Sequence, residues 1–264
     1  GTFDEAPLWS ASFGLLLLKH LKLQAGVTVL DIGSGTGFPL LELAGRLGQS
    51  CTLYGLDPWM NANRRARQKV INYGLKNVEI LDGSAEQIPL EGHSIDLIVS
   101  NLGINNFDNP GLVFQECFRV LKPGGKLALT SNLNGHWKEF YTVFEATLQA
   151  LGKDEVLEKL RRQQEHRGSV ENIKQLFEDN GFSVSRCVEE SFDMKFLDGS
   201  AFLNHYFVKL GWLSSWRDLL PEADWQKTFS LLEANLNKSA NQTGNLLLTV
   251  PMVYIEGEKM QNNP

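Results

Sequence analysis

Apolar residues along the chain follow two alternating patterns. Short apolar runs, which are typical of buried strands, lie near 27–32, 51–57, 77–81, 95–100 and 125–131. Between these runs, apolar residues recur with helical spacing near 38–48, 60–74 and 110–121. Because strands that alternate with helices pair in parallel, this order predicts a doubly wound α/β fold.

The two ends of the chain add further elements to this pattern. An N-terminal helix is predicted over residues 5–22. Beyond residue 131 the spacing predicts one or two helices over 136–164, a helix over 169–180, and strands over 182–196 and 245–258. The prediction is therefore a sheet of seven strands.

Residues 197–244 separate the last two strands by far more chain than a hairpin needs. The segment is rich in aromatic residues, and the break at Leu220-Pro221 favours two or three short helices. One interpretation is a helical extension with a small core of its own. The other, which we expect, is a cap over a ligand site, because ligands bind near the carboxyl ends of such strands.

The run at 27–32 leads directly into three glycines, Gly33, Gly35 and Gly37. Glycine permits a tight turn and leaves no side chain between the backbone and a ligand. Since a helical pattern follows, the free amides at the helix start can face a polar ligand group. Asp57 ends the next apolar run, where a carboxylate can accept hydrogen bonds from a ribose diol. These features predict a nucleoside site.

The glycine spacing narrows the choice of nucleoside. A dinucleotide fingerprint would place its third glycine at position 38, which is Phe38. The pattern Asp31-x-Gly33-x-Gly35-x-Gly37 instead resembles the first motif of class I S-adenosylmethionine-dependent methyltransferases.

Three later segments resemble the same family in the same order. Residues 83–90 resemble its loop after the third strand, 94–101 its fourth strand, and 118–127 the helix, turn and fifth strand that follow. The resemblance covers residues 25–131 and is closest to the small-molecule branch that includes ubiquinone and menaquinone biosynthesis methyltransferases. It implies a Rossmann-like, mostly parallel seven-stranded sheet whose final strand lies antiparallel between the fifth and sixth.

The resemblance also implies a division of the chain. The segment Phe3–Trp9 is similar to a leading helix that folds over the cofactor in related enzymes. The expected parts are a lid helix at 1–24, a cofactor-binding core at 25–196, a helical cap at 197–244, and a final strand with its tail at 245–264.

The cofactor implied by the resemblance is S-adenosylmethionine. Its methionine part is expected to meet Gly33, Ser34, Gly35 and Gly37, with Asp31 anchoring the ammonium group or bracing the loop. The other expected contacts are Asp57 on the ribose hydroxyls, Pro58 and Trp59 beside the adenine, Ser84 and Ala85 on the adenine edge, and Asn101 and Leu102 at the methionine end. Ser84 stands where the family often has Asp, so its neutral hydroxyl predicts a weaker contact.

The acceptor side is less defined. Methyl transfer from a sulfonium needs placement and exclusion of water more than a catalytic side chain, so no catalytic residue is assigned. Candidates to line the acceptor are Trp9, His136, Trp137 and His205. No group of His, Cys, Asp and Glu residues has metal-site spacing, and no metal is expected.

Composition excludes several partners. A net charge of −6 argues against a nucleic-acid substrate, and the basic clusters 64–69 and 159–162 are predicted to be solvated helix faces. No apolar run reaches the roughly 18 residues of a membrane span. Three scattered cysteines are typical of a reduced, cytoplasmic protein.

The sequence therefore predicts a cytoplasmic enzyme that methylates a small organic acceptor at an oxygen, carbon or nitrogen. The alternatives are a protein or RNA methyltransferase, and a non-catalytic protein that binds S-adenosylmethionine. No oligomeric state is predicted.

Overall fold

The computed structural model describes residues 8–165 and 168–260. The predicted start of the first helix, and most of the lid-like segment Phe3–Trp9, lie outside the described residues. The chain divides into two compact units. The first unit comprises Gly1–Ser131, Ser169–Glu189 and Met252–Pro264, and the second comprises Asn132–Gly168 and Glu190–Pro251.

All seven predicted strands are present, most of them within a residue or two of the predicted bounds. They are β1 Thr28–Ile32, β2 Thr52–Asp57, β3 Val78–Asp82, β4 Ile95–Asn101, β5 Leu121–Asn132, β6 Phe182–Phe196 and β7 Leu246–Lys259. β5 begins earlier than predicted because Leu121 pairs with Ile95, and the Pro-Gly-Gly turn that follows is absorbed as an irregularity in the register.

The helices that precede β6 also match the predicted pattern. The structure contains α1 Leu8–His20, α2 Leu40–Leu47, α3 Met60–Asn72, α4 Pro110–Val120, α5 Lys138–Ala150, α6 Asp154–Glu165 and α7 Val170–Asp179. A short 3₁₀ helix, Gly103–Asn106, follows β4. α4 illustrates the local causes, because Pro110 is its first residue and the Asn109 side chain accepts a hydrogen bond from the Leu112 amide.

The segment between β6 and β7 holds four helices, so the prediction of two or three short ones is wrong. They are α8 Gly199–Asn204, α9 Tyr206–Gly211, α10 Leu213–Arg217 and α11 Glu222–Thr243. The last is long because neither Gly nor Pro interrupts the chain between Pro221 and Gly244. Gly244 ends it with a left-handed φ of 86°.

The seven strands form one sheet in the order β3-β2-β1-β4-β5-β7-β6. The pairs from β3 through β5 are parallel. β7 runs antiparallel to β5, since Lys126 bonds Glu256 whereas the later Leu133 bonds the earlier Pro251. It also runs antiparallel to β6, since Ser185 bonds Glu256 and Gly181 bonds Met260. The predicted place and direction of the last strand are confirmed.

The core of the second unit is an aromatic cluster, which we define as Trp137, Phe140, Phe144, Phe202, Trp212 and Trp216. Its ring centroids lie 4.5 Å apart for Phe140 and Trp216, 5.0 Å for Phe140 and Phe202, and 4.9 Å for Trp137 and Trp212. Helices α8 and α10 thus pack their rings against α5.

Candidate functional site

The glycine loop, residues 33–37, leaves the carboxyl end of β1 and is tied to β2. The Gly33 and Ser34 amides both donate to the Leu56 carbonyl, at 2.8 and 3.2 Å. Gly33 has a φ of 71°, and a Cβ there would lie 3.3 Å from the Gly103 backbone. Gly35 has a φ of 53°, and a Cβ there would meet nothing within 4 Å. The loop therefore packs tightly at Gly33 and faces open space at Gly35.

Asp57, at the end of β2, is oriented by two backbone amides. Its Oδ2 accepts from the Gly35 amide at 2.9 Å, and its Oδ1 accepts from the Trp59 amide at 2.8 Å. The side chain is 9% exposed. A carboxylate has about four acceptor positions, so both oxygens keep capacity for further donors. The geometry leaves Asp57 able to accept two hydroxyl groups.

Asp31, the second-last residue of β1 and two residues before Gly33, is fully buried. Among the described residues, neither of its carboxylate oxygens has a well-formed hydrogen-bond partner, and the same holds for the Ser34 hydroxyl. Burial, and secondarily the Asp57 carboxylate, raise the pKa of Asp31 well above its ordinary value, while the Leu40 amide opposes them. A buried, unsatisfied carboxyl group beside an open loop fits a ligand that carries positive charge.

The end of β4 lies against the glycine loop, because the Ser100 hydroxyl donates to the Ile32 carbonyl at 2.9 Å. The next residue, Asn101, donates from Nδ2 to the Ser10 carbonyl of α1 at 3.0 Å and accepts from the Thr130 hydroxyl at 2.8 Å. Leu102 then adopts a left-handed φ of 66°. Such strain in a residue other than glycine is concentrated at ligand sites.

The end of β3 meets the same region. The Gly83 amide donates to the Asp57 carbonyl at 3.3 Å. Ser84 is exposed, with its hydroxyl accepting from the Glu86 amide at 3.2 Å, and Ala85 is buried. The predicted residues at the ends of β1, β2, β3 and β4 are therefore brought together in the first unit.

A polar network that the sequence did not predict adjoins Asp57. The Asn63 amide group of α3 donates to the Asp57 carbonyl at 2.7 Å and to Asp82 at 2.8 Å. Arg67, one turn on, donates to Asp82 at 2.8 Å and to the Ile80 carbonyl at 2.9 Å. Arg67 first, and then Asn63, lower the pKa of Asp82. The four-residue spacing of Asn63 and Arg67 is the signal that could have shown them on one helix face.

This network corrects one prediction. Arg64 and Arg65 are exposed, as expected of a solvated face, but Arg67 and Lys69 are only partly exposed. Lys69 donates to the Thr36 carbonyl of the glycine loop at 2.9 Å. Arg67, although its side chain is 42% exposed, thus ties α3 to β3, and Lys69 ties α3 to the glycine loop, contacts that the solvated-face interpretation did not include.

The acceptor-side candidates belong to both units. Trp9 lies on α1, 5.2 Å from the Phe13 ring. In the second unit, His136 is buried and stacks 4.4 Å from Trp137. His205 precedes α9 and lies 5.4 Å from the Phe196 ring. Within the described ranges, no group of three His, Cys, Asp or Glu residues could hold a metal ion.

Fold and site together define a class of protein. The strand order, with β7 antiparallel between β5 and β6, places a glycine loop and two buried carboxyl groups, Asp31 and Asp57, at the carboxyl edge of the parallel strands. This is the arrangement of a nucleoside-binding methyltransferase fold. Across residues 8–165 and 168–260, no helix is long and apolar enough to span a bilayer.

Known proteins agree with this class. Residues 30–129 match a family model described as a methyltransferase domain. The demethylmenaquinone methyltransferase of Lactococcus lactis is 30% identical over 219 residues, which cover 79% of this chain and 82% of that protein. The enzyme of the same name from Oceanobacillus iheyensis is 33% identical over 140 residues, 52% of this chain and 59% of that protein.

A solved structure gives the same result. The crystal structure of an S-adenosylmethionine-dependent methyltransferase from Aquifex aeolicus is 27% identical, with a TM-score of 0.53, and the match covers 66% of this chain and 82% of that one. The chain belongs to the class I S-adenosylmethionine-dependent methyltransferases. The family and cofactor predicted from the four motifs are confirmed.

Proposed function

We propose that this enzyme methylates a small aromatic acceptor of the quinol class, and that its cofactor is held by the residues around the glycine loop. The single observation that carries the cofactor site is the pair of buried carboxyl groups at the glycine loop, Asp31 just before it in the chain and Asp57 bonded to the amide of its open Gly35. S-adenosylmethionine, when bound, supplies an activated methyl group on a sulfonium cation.

Asp57 binds the ribose in this proposal. Its two oxygens are already aimed by the Gly35 and Trp59 amides, so little reorganisation is needed to accept two hydroxyl groups. Pro58 and Trp59 flank the adenine, and Ser84 and Ala85 meet its edge. The 46% exposure of Trp59 leaves ring surface available for that contact.

Asp31 faces the positively charged methionine end. A cation there would relieve the cost of a buried carboxyl group that has no well-formed hydrogen bond among the described residues. Gly33, Ser34, Gly35 and Gly37 present backbone to the methionine part, and Asn101 and Leu102 line its far side. Because the Asn101 side chain bonds Ser10 and Thr130, we assign its contribution to shape rather than to a direct hydrogen bond.

The division of the chain stays a proposal: a lid helix at 1–24, a core at 25–196, a cap at 197–244 and a closing strand at 245–264. The lid is supported by α1, whose Ser10 carbonyl accepts from Asn101 and whose Gly14 packs so closely on Phe38 that a Cβ there would clash. The chain's part in the reaction is to position the acceptor and exclude water. Trp9 in the first unit, and His136, Trp137 and His205 in the second, each stay a proposed acceptor contact.

The acceptor class rests on two observations. The curated relatives are named demethylmenaquinone methyltransferases, which indicates a demethylated quinol ring. The net charge of −6 disfavours a nucleic-acid acceptor.

Calorimetry and a turnover assay test this proposal. S-adenosylhomocysteine should bind the purified protein while NAD does not. Release of S-adenosylhomocysteine should then be followed with a short-chain demethylmenaquinol, a transfer RNA pool and an unmodified protein pool. We expect turnover with the quinol alone. Turnover with RNA or protein, or none despite cofactor binding, would overturn the acceptor class.

Asp57→Ala tests the ribose assignment. Loss of charge-assisted hydrogen bonds, each worth about 1.5–3 kcal/mol, should weaken S-adenosylhomocysteine binding about tenfold or more. Asp96→Ala is the matched control, because Asp96 also accepts from a backbone amide, that of Thr28 at 2.8 Å, but lies at the amino end of β4 rather than at the carboxyl end of a strand. Unchanged affinity in a folded Asp57→Ala protein would exclude the ribose role.

A further inference from the structure

Residues 83–94, all within the described part of the chain, connect β3 to β4 without any helix or strand. Connections of this length that lack secondary structure are uncommon and are usually functional. Under the proposed function this loop carries Ser84 and Ala85, which meet the adenine. A few hydrogen bonds lie within the loop, such as that from the Gln87 amide to the Ser84 carbonyl, and side chains outside the loop add others.

Two side chains of α4 bind the loop backbone directly. The Glu116 carboxylate accepts from the Ile88 amide at 2.8 Å. Arg119 donates from one terminal nitrogen to the Ile88 carbonyl at 2.9 Å and from the other to the Leu90 carbonyl at 2.9 Å. Three backbone groups with no partner in a helix or strand are thereby satisfied.

The two side chains also orient each other. The Arg119 guanidinium bonds both Glu116 oxygens, at 2.6 and 2.7 Å, as a two-point pair. Arg119 accordingly lowers the pKa of Glu116, and Glu116 raises that of Arg119. The loop is also bonded to the residue before α4, because the Asn109 amide donates to the Glu86 carboxylate at 2.9 Å.

We propose that Glu116 and Arg119 are positioning residues that hold the loop 83–94 in place. The enzyme's selectivity for adenine then depends on these two side chains. The proposal rests on the proposed function, which places the adenine against Ser84 and Ala85. The planar guanidinium of arginine donates hydrogen bonds to two carbonyls and a carboxylate at once, which the single ammonium of lysine cannot do in the same geometry.

The chain contains a matched pair without this role. On α2, Arg46 bonds Glu42 of its own helix at 2.8 Å, and its side chain is 43% exposed, against 41% for Arg119. An effect of helix charge alone would be the same for both pairs. An effect through the loop would be specific to Arg119.

The test measures the affinities of S-adenosylhomocysteine and of S-inosylhomocysteine, in which a carbonyl oxygen replaces the adenine amino group. We expect the unaltered enzyme to prefer the adenine compound about tenfold or more. In R119K, affinity for S-adenosylhomocysteine should fall about fivefold to tenfold and the preference should shrink to about twofold. R46K should match the unaltered enzyme in both measurements.

E116Q provides a second variant, since it keeps the side-chain shape and should reduce the preference in the same direction. If R119K and E116Q fold and retain the full preference for adenine, the proposal is wrong. It is equally overturned if the unaltered enzyme binds both compounds alike. Failure of the unaltered enzyme to bind S-adenosylhomocysteine at all would instead reject the proposed cofactor site, and this inference with it.

Discussion

The glycine loop and the aromatic cluster are built in opposite ways. The loop presents backbone amides and adjoins two carboxyl groups, Asp31 and Asp57, and among the described residues Asp31 and Ser34 lack well-formed hydrogen bonds. The cluster consists of rings in mutual contact, with Trp137, Phe140 and Trp216 fully buried. The first region keeps polar groups that a ligand can complete, whereas ring-to-ring contacts fill the second. Stability and affinity should therefore respond separately to substitutions in the two regions.

The largest effect should come from the cluster. Trp216→Ala removes a ring that contacts Phe140 at 4.5 Å and whose indole N–H donates to the Tyr141 hydroxyl at 3.4 Å. Loss of a buried tryptophan typically costs about 3–5 kcal/mol of unfolding free energy. Urea denaturation should show this loss, with Tyr206→Ala, at a 49% exposed position, as the near-neutral control. A loss of unfolding free energy below about 1 kcal/mol would show that the cluster does not stabilise the fold as this comparison requires.

The second largest effect should be a pH dependence of the unfolding free energy that arises from Asp31. The folded pKa of Asp31 is raised above its ordinary 3.8, so between these two values the unfolded chain releases a proton that the folded chain keeps. Stability from this group is therefore full below the ordinary value and is lost as pH rises through the folded pKa, by about 1.4 kcal/mol per pH unit. Asp31→Asn should remove this slope. Parallel stability curves for the two proteins from pH 4 upward would contradict the assignment.

The smallest effect separates backbone strain from ligand contact. Gly35 and Gly26 both have a left-handed φ, 53° and 74°, and a Cβ at either would meet nothing within 4 Å. Alanine at each should cost about 1–2 kcal/mol of unfolding free energy through the backbone alone. Gly35→Ala should in addition weaken S-adenosylhomocysteine binding about tenfold, measured by calorimetry, while Gly26→Ala should leave it unchanged. Equal affinities would show that the open space at Gly35 is not the cofactor cradle.

The same contrast explains what the sequence could predict. The glycine loop is readable because its requirement is local: three positions need positive φ or close packing, and glycine meets both. The position of Asp57 at the site could be predicted because it ends an apolar strand. The sheet follows from the strand and helix periods, which the packing of a parallel fold reinforces.

The missed features depend on contacts distant in sequence. Asn63 reaches Asp82 only because α3 crosses β3, and Arg119 reaches Leu90 only because α4 lies beside the loop. The spacing of residues along one helix does not show which strand or loop the helix will contact. Trp137, with a φ of 53°, is a bulky residue in a left-handed conformation that no propensity would predict.

The position of β7 has a consequence for the order in which the protein can form during synthesis. β7 is last along the chain yet lies inside the sheet, between β5 and β6. Until residues 246–259 leave the ribosome, β5 has an open edge and β6 has no neighbour to join. While residues 133–245 are synthesised, the nascent enzyme therefore carries a five-stranded sheet with an open edge at β5, and one late strand then pairs with both β5 and β6.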